Sequence, residues 1–509
     1  MTEHLHTIDR IVNQRVLIVS FTGSTPHLET SLEISNRLAN FNSIDYLHLG
    51  TFVDRPTLFP SNIIKRKLQL PVRINRAKNY IDSLAISCKS VRWLDGKHFT
   101  SSAFNYIANV FLNSLDSELE NLSNLRDLQF DQYNIGMGVA STLISHLKDS
   151  DPFPLNSSTK FEIKKLIESS IISILMAKEI FSKKYLYDSV ILLNGRFACE
   201  RSFMQVLNEH QVKIYYHECG PPYPLNHFFF EDYMPQDFIK RNQEISKMMR
   251  KLDSYSISKI GSEFFKRKVS GDGVSELSYV ANQAANLSPS LLEKIINHRK
   301  LNKKIVSYFT SSDDEFDFVD PKVLRYPNFI NQINAVLEIA KTVNELGFLF
   351  IVRVHPNLAN KSDEEKSRWE LLRQKIKDFN FIWIAEDCLE PTYELIKFTD
   401  IVITSGSTVG IESIFLETPS IVIADCYYNK SVSSVITCKS KDQLKKLLVD
   451  SNSYLKPRQS DSFVYGAWAM DFPPRFKFFN HTCRGNGLMT DGSRIASPGV
   501  IQRIVSLIK

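Results

Sequence analysis

Residues 401–424 read IVITSGSTVGIESIFLETPSIVIA, and this stretch predicts the fold of the part of the chain around it. Its two ends, residues 401–404 and 420–424, are short β-branched apolar runs, which are typical of strands buried on both faces of a parallel sheet. Between them, Ile411 and Ile414 lie on one face of a predicted helix that packs on that sheet. The stretch therefore predicts a strand, a helix and a second strand of an α/β fold.

The turn after the first of these strands carries hydroxyl side chains and one glycine, at Ser405, Gly406, Ser407 and Thr408. It lies just beyond the carboxyl end of the strand, where open α/β sheets bind anions. Glu412 shares a helix face with Thr408, and a carboxylate accepts two hydrogen bonds at once, which suits a pair of ribose hydroxyls. The pattern indicates a site for a phosphate and a ribose. The alternative is a capped helix with Glu412 in solvent.

Polar side chains also follow two further strands of the same half. They are Ser311 and Ser312 after the predicted strand 305–309, and Arg353 and His355 at the end of the predicted strand 348–354. Because the carboxyl ends of parallel strands meet at one edge, we expect these groups to lie near the Ser/Thr turn. The alternatives are a strand cap at His355, a buried structural cation at Arg353 and a helix N-terminus at the serines.

The N-terminal half repeats the pattern with predicted buried strands at 16–21, 44–49, 190–193 and 212–216. The polar residues that follow these strands are His27, Glu29, Arg196, His217 and Glu218. The last two strands place Arg196 and Glu218 along one rim of the sheet, where catalytic groups collect. An ion pair between Arg196 and Glu218 that only shapes the rim is the alternative. Glu29 in a first helical turn is also what the helix dipole favours.

The chain has 509 residues, 43% hydrophobic and 23% charged, with a formal net charge of +6. This length predicts two domains, and the composition provides enough apolar surface for both cores. The cation-rich stretch 65–78 lacks interleaved aromatic residues, so we do not expect nucleic-acid binding. Such a stretch is commonly a solvated surface. Contact with an anionic glycan or an acidic membrane face is the alternative.

Seven cysteines are scattered singly through the chain. Their odd number and the absence of metal-ligand spacing argue against a disulfide framework, so we expect reduced thiols. No run approaches the roughly 20 apolar residues that a membrane span needs, and the N-terminus lacks the apolar core of a signal peptide. We expect a cytoplasmic protein, with a peripheral position at the inner face of the cytoplasmic membrane as the alternative.

These patterns predict a domain organisation in four parts. Residues 1–240 form an N-terminal Rossmann-like domain, and residues 241–303, which are helical and charged, form a bridge. Residues 304–456 form a second Rossmann-like domain. Residues 457–509 form a tail that ends in a short apolar helix, 500–508, and folds back across the domain junction.

With the His-Pro strand end at His355, the Ser/Thr turn and Glu412 in this order, the chain resembles bacterial capsule and surface polysaccharide glycosyltransferases of GT-B architecture. The likeness is best over residues 305–424, and the polar strand ends of the first half extend it more weakly. The His-Pro element with a Ser/Thr turn is also similar to sialyltransferases, Kdo transferases and teichoic-acid glycerophosphotransferases. The chain departs from the retaining GT-B pattern of two glutamates eight apart, because Glu412 is followed by Glu417.

The resemblance implies an α/β protein with two Rossmann-like domains facing each other across a cleft. It implies transfer of a sugar from a CMP- or UDP-linked donor to a hydroxyl of a growing surface polysaccharide, such as capsule or O-antigen, with no metal and no cofactor. The implied partners are a glycan or lipid-linked glycan acceptor, the inner membrane and other polysaccharide assembly proteins.

The same resemblance implies roles for individual residues. The residues implied in binding the donor are Ser311, Ser312, Arg353, His355, Ser405, Gly406, Ser407, Thr408 and Glu412. The first domain is expected to supply a general base, or a nucleophile if the reaction is a double displacement. Glu218 is the favoured residue, with His27 and Glu29 as alternatives and Arg196 beside them.

Three other functions remain open at this point. A CDP-alcohol phosphotransferase would use a similar phosphate pocket with a histidine base. A sugar-nucleotide 2-epimerase would share the architecture. A non-catalytic glycan-binding component of a polysaccharide assembly machine would catalyse neither reaction. It is an alternative because one fold hosts many functions.

Overall fold

The computed structural model describes residues 6–24, 26–50, 63–88, 90–115, 121–182, 187–220, 226–271, 283–316, 326–451, 456–480 and 488–495. The chain divides into two compact units. Unit 1 comprises Met1–His146, Asp151–Pro235 and Phe472–Lys509, and unit 2 comprises Leu147–Ser150 and Gln236–Asp471. The predicted bridge thus belongs to unit 2, the tail is divided between the units, and the predicted helix 500–508 lies outside the described residues.

Helices and strands alternate along most of the chain. The helices are α1 (His27–Leu38), α2 (Ile63–Ser87), α3 (Ser102–Asn113), α4 (Leu122–Arg126), α5 (Gly136–Leu147), α6 (Ser157–Ser182), α7 (Ala198–Glu209), α8 (Phe238–Lys251), α9 (Ser254–Ser270), α10 (Pro289–Arg299), α11 (Gln332–Glu345), α12 (Asp363–Lys375), α13 (Thr392–Lys397), α14 (Val409–Phe415), α15 (Lys441–Val449) and α16 (Gln459–Asp471). The strands are β1 (Arg15–Ser20), β2 (Ser43–His48), β3 (Val91–Leu94), β4 (Gln129–Phe130), β5 (Tyr133–Asn134), β6 (Ser189–Leu193), β7 (Lys213–Gly220), β8 (Asn226–Glu231), β9 (Ile305–Phe309), β10 (Leu349–Arg353), β11 (Phe381–Ile384), β12 (Ile401–Thr404), β13 (Ser420–Val422), β14 (Val435–Thr437), β15 (Phe479–Asn480) and β16 (Leu488–Met489). None of the described helices combines the length and the apolar character that crossing a bilayer demands.

Unit 2 contains a six-stranded sheet in the order β11-β10-β9-β12-β13-β14. Every neighbouring pair is parallel. Strands β9 and β12 are fully buried because helices cover both faces of the sheet, which explains their continuous β-branched apolar sequences. The predicted strands 305–309 and 401–404 are confirmed at both ends.

Unit 1 contains a second six-stranded sheet in the order β3-β2-β1-β6-β7-β8. Its strands are parallel except for β8, which is antiparallel to β7. The sequence did not predict β8, and the predicted strand 212–216 is too short. Pairing with β8 extends β7 to Gly220, so Glu218 lies within the strand and opposite Phe228 rather than beyond the strand end.

The two sheets have the same strand order. In each, the first strand lies between the second and the fourth long strand of the sheet, which is the doubly wound Rossmann arrangement. The α/β fold class with two Rossmann-like units is therefore confirmed. Because the chain crosses over in opposite directions from the central pair, each sheet leaves a crevice at the carboxyl ends of that pair. The central pairs are β1 with β6 and β9 with β12.

A buried carboxylate attaches the C-terminal segment to unit 1. Glu33 on α1 is fully buried, and its oxygens accept hydrogen bonds from the main-chain N–H groups of Lys477 (2.8 Å), Phe478 (2.6 Å) and Phe479 (2.8 Å). Burial raises the pKa of Glu33, although these N–H donors oppose the shift. The carboxylate thus satisfies the buried N–H group of Phe479 and the partly buried N–H groups of the two residues before it.

Replacing this carboxylate should destabilise the protein strongly. Glu33→Ala removes the acceptor of one buried and two partly buried N–H groups, and a buried N–H group without an acceptor costs about 1 to 3 kcal/mol, so we expect a loss of about 2 kcal/mol or more in the free energy of unfolding. Urea denaturation followed by circular dichroism measures it. Asp82→Ala is the control, because its ion pair with Lys78 is on the surface and contributes about 0.5 kcal/mol. Equal losses in both variants would contradict this role of Glu33.

Candidate functional site

The central crevice of unit 2 is closed at its base by a hydrogen bond across the sheet. The Tyr308 hydroxyl on β9 bonds to Ser405 Oγ at the end of β12. Gln332 on α11 accepts a hydrogen bond from the Ser311 main-chain N–H (2.7 Å) and donates to the Ser311 carbonyl (3.0 Å). Ser311 Oγ is buried and forms no hydrogen bond within the described part of the chain. The crevice therefore holds a fixed hydroxyl that can bind a ligand.

His355 follows β10 and contacts Thr310, the residue before Ser311. Its main-chain N–H donates to Thr310 Oγ1 (2.7 Å), and its Nδ1 accepts from the Asn357 main-chain N–H (3.1 Å). Burial, followed by the charges of Lys361 and Arg353, lowers the pKa of His355 to about 4. The ring is therefore neutral at pH 7 and carries its proton on Nε2, because Nδ1 is an acceptor. A neutral imidazole of this tautomer donates one hydrogen bond, for example to a phosphate oxygen.

Ser312 and Arg353 are placed by their neighbours. Asn357 Nδ2 donates to Ser312 Oγ (3.2 Å), so Ser312 is connected to His355 through Asn357. Arg353 is 3% exposed, and its terminal nitrogens donate to the carbonyl oxygens of Ala385 (2.5 Å) and Cys388 (2.9 Å). These bonds anchor the loop after β11, which is the structural role considered for Arg353 as the alternative to phosphate binding. Phosphate binding by Arg353 stays a prediction.

The Ser/Thr turn after β12 has a fixed backbone. Thr404 Oγ1 accepts a hydrogen bond from the Ser407 main-chain N–H (3.1 Å), and the Tyr428 hydroxyl donates to the Ser407 carbonyl. Gly406 has φ +98°, and a Cβ at this position would lie 2.7 Å from Cys426 Cβ. Only glycine fits such a backbone without strain. The turn therefore presents its groups in one conformation.

Glu412 does not lie in solvent. It is 3% exposed, its Oε1 lies 2.9 Å from Lys268 Nζ, and its Oε2 accepts a hydrogen bond from the Tyr393 hydroxyl (3.1 Å). Lys268 Nζ also donates to Thr408 Oγ1 (3.2 Å). Burial is the largest single influence and lowers the pKa of Lys268, but the charges of Glu412 and Tyr465 and the hydrogen bond to Glu412 together outweigh it, so the pKa is raised and the ammonium is charged. The predicted anion site thus contains a cation on α9 that the sequence analysis missed.

In unit 1, Glu218 is the best positioned of the predicted catalytic residues. Asn194 Nδ2 donates to its Oε2, and the Cys219 main-chain N–H donates to its Oε1 (2.9 Å). Asn194 reaches this position because its backbone is left-handed, with φ 55°, at the end of β6. The Glu218 side chain is 23% exposed, and His27 Nδ1 lies 3.8 Å from its Oε1. An oriented, solvent-accessible carboxylate therefore lies at the edge of this sheet.

The other predicted residues of unit 1 occupy different surroundings. The Arg196 guanidinium donates to Ser141 Oγ (3.3 Å) and lies 4.5 Å from the centroid of the Phe197 ring, so the Arg196–Glu218 ion pair considered above is not the arrangement found. His217 is buried, and burial together with the nearby His27 lowers its pKa to about 3.

Glu29, the remaining catalytic candidate, is 1% exposed on α1. Its charge acts on two buried groups, opposing the burial-driven fall in the pKa of Arg73 and adding to the rise in the pKa of Tyr46. Burial thus distinguishes two glutamates that the sequence placed together: Glu218 is accessible to solvent and Glu29 is not.

Comparisons with known proteins give the following. No family model matches the chain, and no curated protein matches it. Among solved structures, a KpsC β-Kdo 2,4 transferase from Thermosulfurimonas dismutans matches at 13% identity, over 57% of this chain and 84% of that one, with a TM-score of 0.35. Anabaena Alr3699/HepE in complex with UDP and glucose matches at 10% identity, over 90% and 96% of the two chains, with a TM-score of 0.27.

A third solved structure, the UDP-GlcNAc 2-epimerase of Methanocaldococcus jannaschii, matches at 13% identity over 59% of this chain and 79% of that one, with a TM-score of 0.28. The Kdo transferase and the epimerase are kinds of enzyme already named from the sequence. At these TM-scores the fold assignment rests on the strand order of the two sheets, not on the superpositions.

A buried histidine at the edge of the unit 1 sheet should make stability depend on pH. His48 ends β2, is 3% exposed, and neither ring nitrogen forms a hydrogen bond within the described residues. Burial lowers its pKa from 6.5 to about 3, so the unfolded chain binds more protons between these values. Its contribution to stability is therefore full above pH 6.5 and falls by about 1.4 kcal/mol for each pH unit below it.

We predict that His48→Leu reduces the loss of unfolding free energy between pH 7.5 and pH 5.5 by about 1.4 kcal/mol. Leucine cannot be protonated, and no hydrogen bond is lost. Urea titrations at the two pH values measure this difference, with the exposed His98→Leu as the control. An unchanged difference in His48→Leu would show that burial does not keep this ring neutral.

Proposed function

We propose that the protein is a glycosyltransferase that transfers a sugar from a nucleotide-linked donor to a hydroxyl of a growing bacterial surface polysaccharide, such as capsule or O-antigen. Unit 2 binds the donor, and unit 1 supplies the general base. The observation that carries this proposal is the placement of hydrogen-bond donors and one cation at the central crevice of one sheet, with an oriented carboxylate at the same edge of the other. Open α/β sheets bind their ligands at this edge.

The unit 2 groups suit a leaving phosphate. When the bond between the anomeric carbon and the phosphate oxygen breaks, negative charge develops on the nucleotide. The Ser311 hydroxyl, the Nε2–H of His355 and the Lys268 ammonium are positioned donors that stabilise such charge without reorganising. The proposed donor is CMP- or UDP-linked, and this set supports transfer without a metal ion.

Glu412 has a more specific role in this proposal. Its two oxygens already hold Lys268 and Tyr393, so it keeps the lysine charged and fixed beside Thr408. Each carboxylate oxygen accepts more than one hydrogen bond. The ribose hydroxyls predicted from the sequence would therefore donate to the lone pairs of Glu412 that Lys268 and Tyr393 do not use.

Glu218 is proposed as the base. In the transfer step the acceptor hydroxyl loses its proton to Glu218, its oxygen bonds to the anomeric carbon, and the nucleotide leaves with the electron pair of the broken bond. The Asn194 and Cys219 donors hold the carboxylate in one orientation. The same geometry suits a nucleophile in a double displacement, where Glu218 would itself bond to the sugar.

Nucleotide binding is the first test of the unit 2 site. The protein is heated with CMP, CDP, UDP or GDP, with and without magnesium, and unfolding is followed by fluorescence. We expect a shift with CMP or UDP that does not need magnesium, because a ligand at a hundred times its dissociation constant adds about 2.7 kcal/mol of stability. A shift with CDP alone would support the phosphotransferase instead, and no shift would support the non-catalytic alternative.

Variants locate this binding within unit 2. Ser311→Ala and the pair Lys268→Met with Glu412→Gln should each weaken the dissociation constant about tenfold, by removing one charge-assisted contact. The pair is used because Lys268→Met alone leaves a buried charge uncompensated. Ser367→Ala and Lys341→Met, exposed positions on helices of the same unit, are the controls. Unchanged affinity in both test variants would exclude this crevice as the nucleotide site.

Turnover tests the unit 1 site. With the donor selected by the nucleotide shift and a polysaccharide acceptor, Glu218→Gln should lower kcat by about 10²- to 10⁴-fold, because the amide cannot accept the proton. Nucleotide release measures the rate. Glu231→Gln is the matched control on the neighbouring strand, since Glu231 is 41% exposed and pairs with Lys213. Full activity in Glu218→Gln would remove Glu218 from the mechanism and leave nucleotide binding intact.

A further inference from the structure

His27, Glu218 and Cys219 form a cluster of three chemically different ligands in unit 1. One nitrogen, one oxygen and one sulfur atom from these residues all lie within 4.8 Å of one another, and each residue is partly exposed. His27 Nδ1 is a buried atom that forms no hydrogen bond within the described residues, although it lies 3.8 Å from Glu218 Oε1. That distance is too long for a hydrogen bond.

The same spacing suits two ligands of one metal ion. Zinc binds imidazole, carboxylate and thiolate at about 2.0 to 2.3 Å, so a tetrahedral ion separates its ligand atoms by roughly 3.3 to 3.8 Å. The pair of His27 and Glu218 is already at that separation. Rotation of partly exposed side chains closes the remaining gap of roughly 1 Å to the widest pair.

The surroundings of the cluster fit a metal site in two further ways. Glu218 and Cys219 are neighbours on β7, which is hydrogen-bonded to strands on both sides, so their main chain is fixed. Asn194 Nδ2 donates to the other oxygen of Glu218, which orients the carboxylate as outer partners orient metal ligands. Three protein ligands with partial exposure leave a fourth position open to water.

We infer that His27 Nδ1, a Glu218 oxygen and Cys219 Sγ bind a soft divalent transition-metal ion, of which Zn²⁺ is the best match. On binding, the Cys219 thiol loses its proton to solvent, and the neutral imidazole and the ionised carboxylate each donate an electron pair to the ion. This departs from the expectation of a chain without a metal site. The metal site stands by itself, and its consequence for activity rests on the proposed function.

The consequence is inhibition. A carboxylate that donates an electron pair to Zn²⁺ cannot accept a proton from an acceptor hydroxyl, so an occupied site removes the proposed base. Zinc would thus act as a reversible inhibitor, relieved by a chelator.

Cobalt substitution tests the site without reference to activity. Co²⁺ added to the purified full chain should produce a thiolate-to-cobalt charge-transfer absorption band in the near-ultraviolet, together with visible bands of a four-coordinate ion. Cys219→Ser should abolish the charge-transfer band, and His27→Gln should weaken Zn²⁺ affinity at least tenfold in competition with a chromophoric chelator. Cys88→Ser, another partly exposed thiol of unit 1, is the matched control and should keep the band. Absence of the band, or its persistence in Cys219→Ser, would overturn the proposal.

Activity measured in parallel separates this inference from the proposed function. Turnover is compared with and without Zn²⁺ for the wild-type chain and for Cys219→Ser, each relative to its own metal-free rate. Inhibition that Cys219→Ser weakens at least tenfold supports both the site and the role of Glu218. A cobalt band without zinc inhibition leaves the metal site intact and contradicts Glu218 as the base. Inhibition without a cobalt band contradicts the metal site.

Discussion

The parallel pairing of the first strand with the fourth long strand in each sheet is the constraint on which the rest of the structure depends. It makes the chain leave the central pair in opposite directions, so neither crossover covers the carboxyl ends of β1 and β6 or of β9 and β12. Main-chain groups at those ends would remain unsatisfied if apolar side chains followed. Polar side chains that follow these strands satisfy such groups, as Thr310 accepts from the His355 main-chain N–H and Asn194 from that of Arg196, and they create two edges that can bind ligands.

Glu412 and Glu218 lie at these two edges, and their different surroundings suit the same carboxylate group to different roles. Glu412 is nearly excluded from water and holds a partly buried lysine, so its charge is used within the protein and fixes a cation beside the Ser/Thr turn. Glu218 is partly exposed and is held by an amide and a main-chain N–H, so its charge is oriented, and among the described residues no lysine or arginine forms an ion pair with it. The first arrangement suits electrostatic stabilisation of a ligand, and the second suits proton transfer or coordination of a metal ion.

The same geometry at Glu218 links the proposed function with the proposed metal site. A base must be ionised, accessible and aimed, and these are also the properties of a metal-ligating carboxylate. Two neighbouring groups complete the proposed metal site. They are the imidazole nitrogen Nδ1 of His27, which has no hydrogen-bond partner in the described chain, and the thiol of Cys219, the adjacent residue of the same strand. With a serine in place of Cys219 and an apolar residue in place of His27, Glu218 could still act as a base, but a soft metal ion would lack the ligands to bind there and inhibit it.

The sequence by itself determined the strand and helix pattern of unit 2 and the residues at its strand ends, because short β-branched runs and helical periodicity are local properties of the chain. The strands 305–309 and 401–404 were therefore predicted to the residue. Only the tertiary structure decided the strand order, the antiparallel β8 that extends β7, and the partners of the two glutamates. Thr408 is 140 residues from Lys268, and Glu218 is 24 residues from Asn194, so no local pattern connects them. The tertiary structure also decided burial, because elements from distant parts of the chain determine whether Glu412, Glu29 or Glu218 is exposed to water.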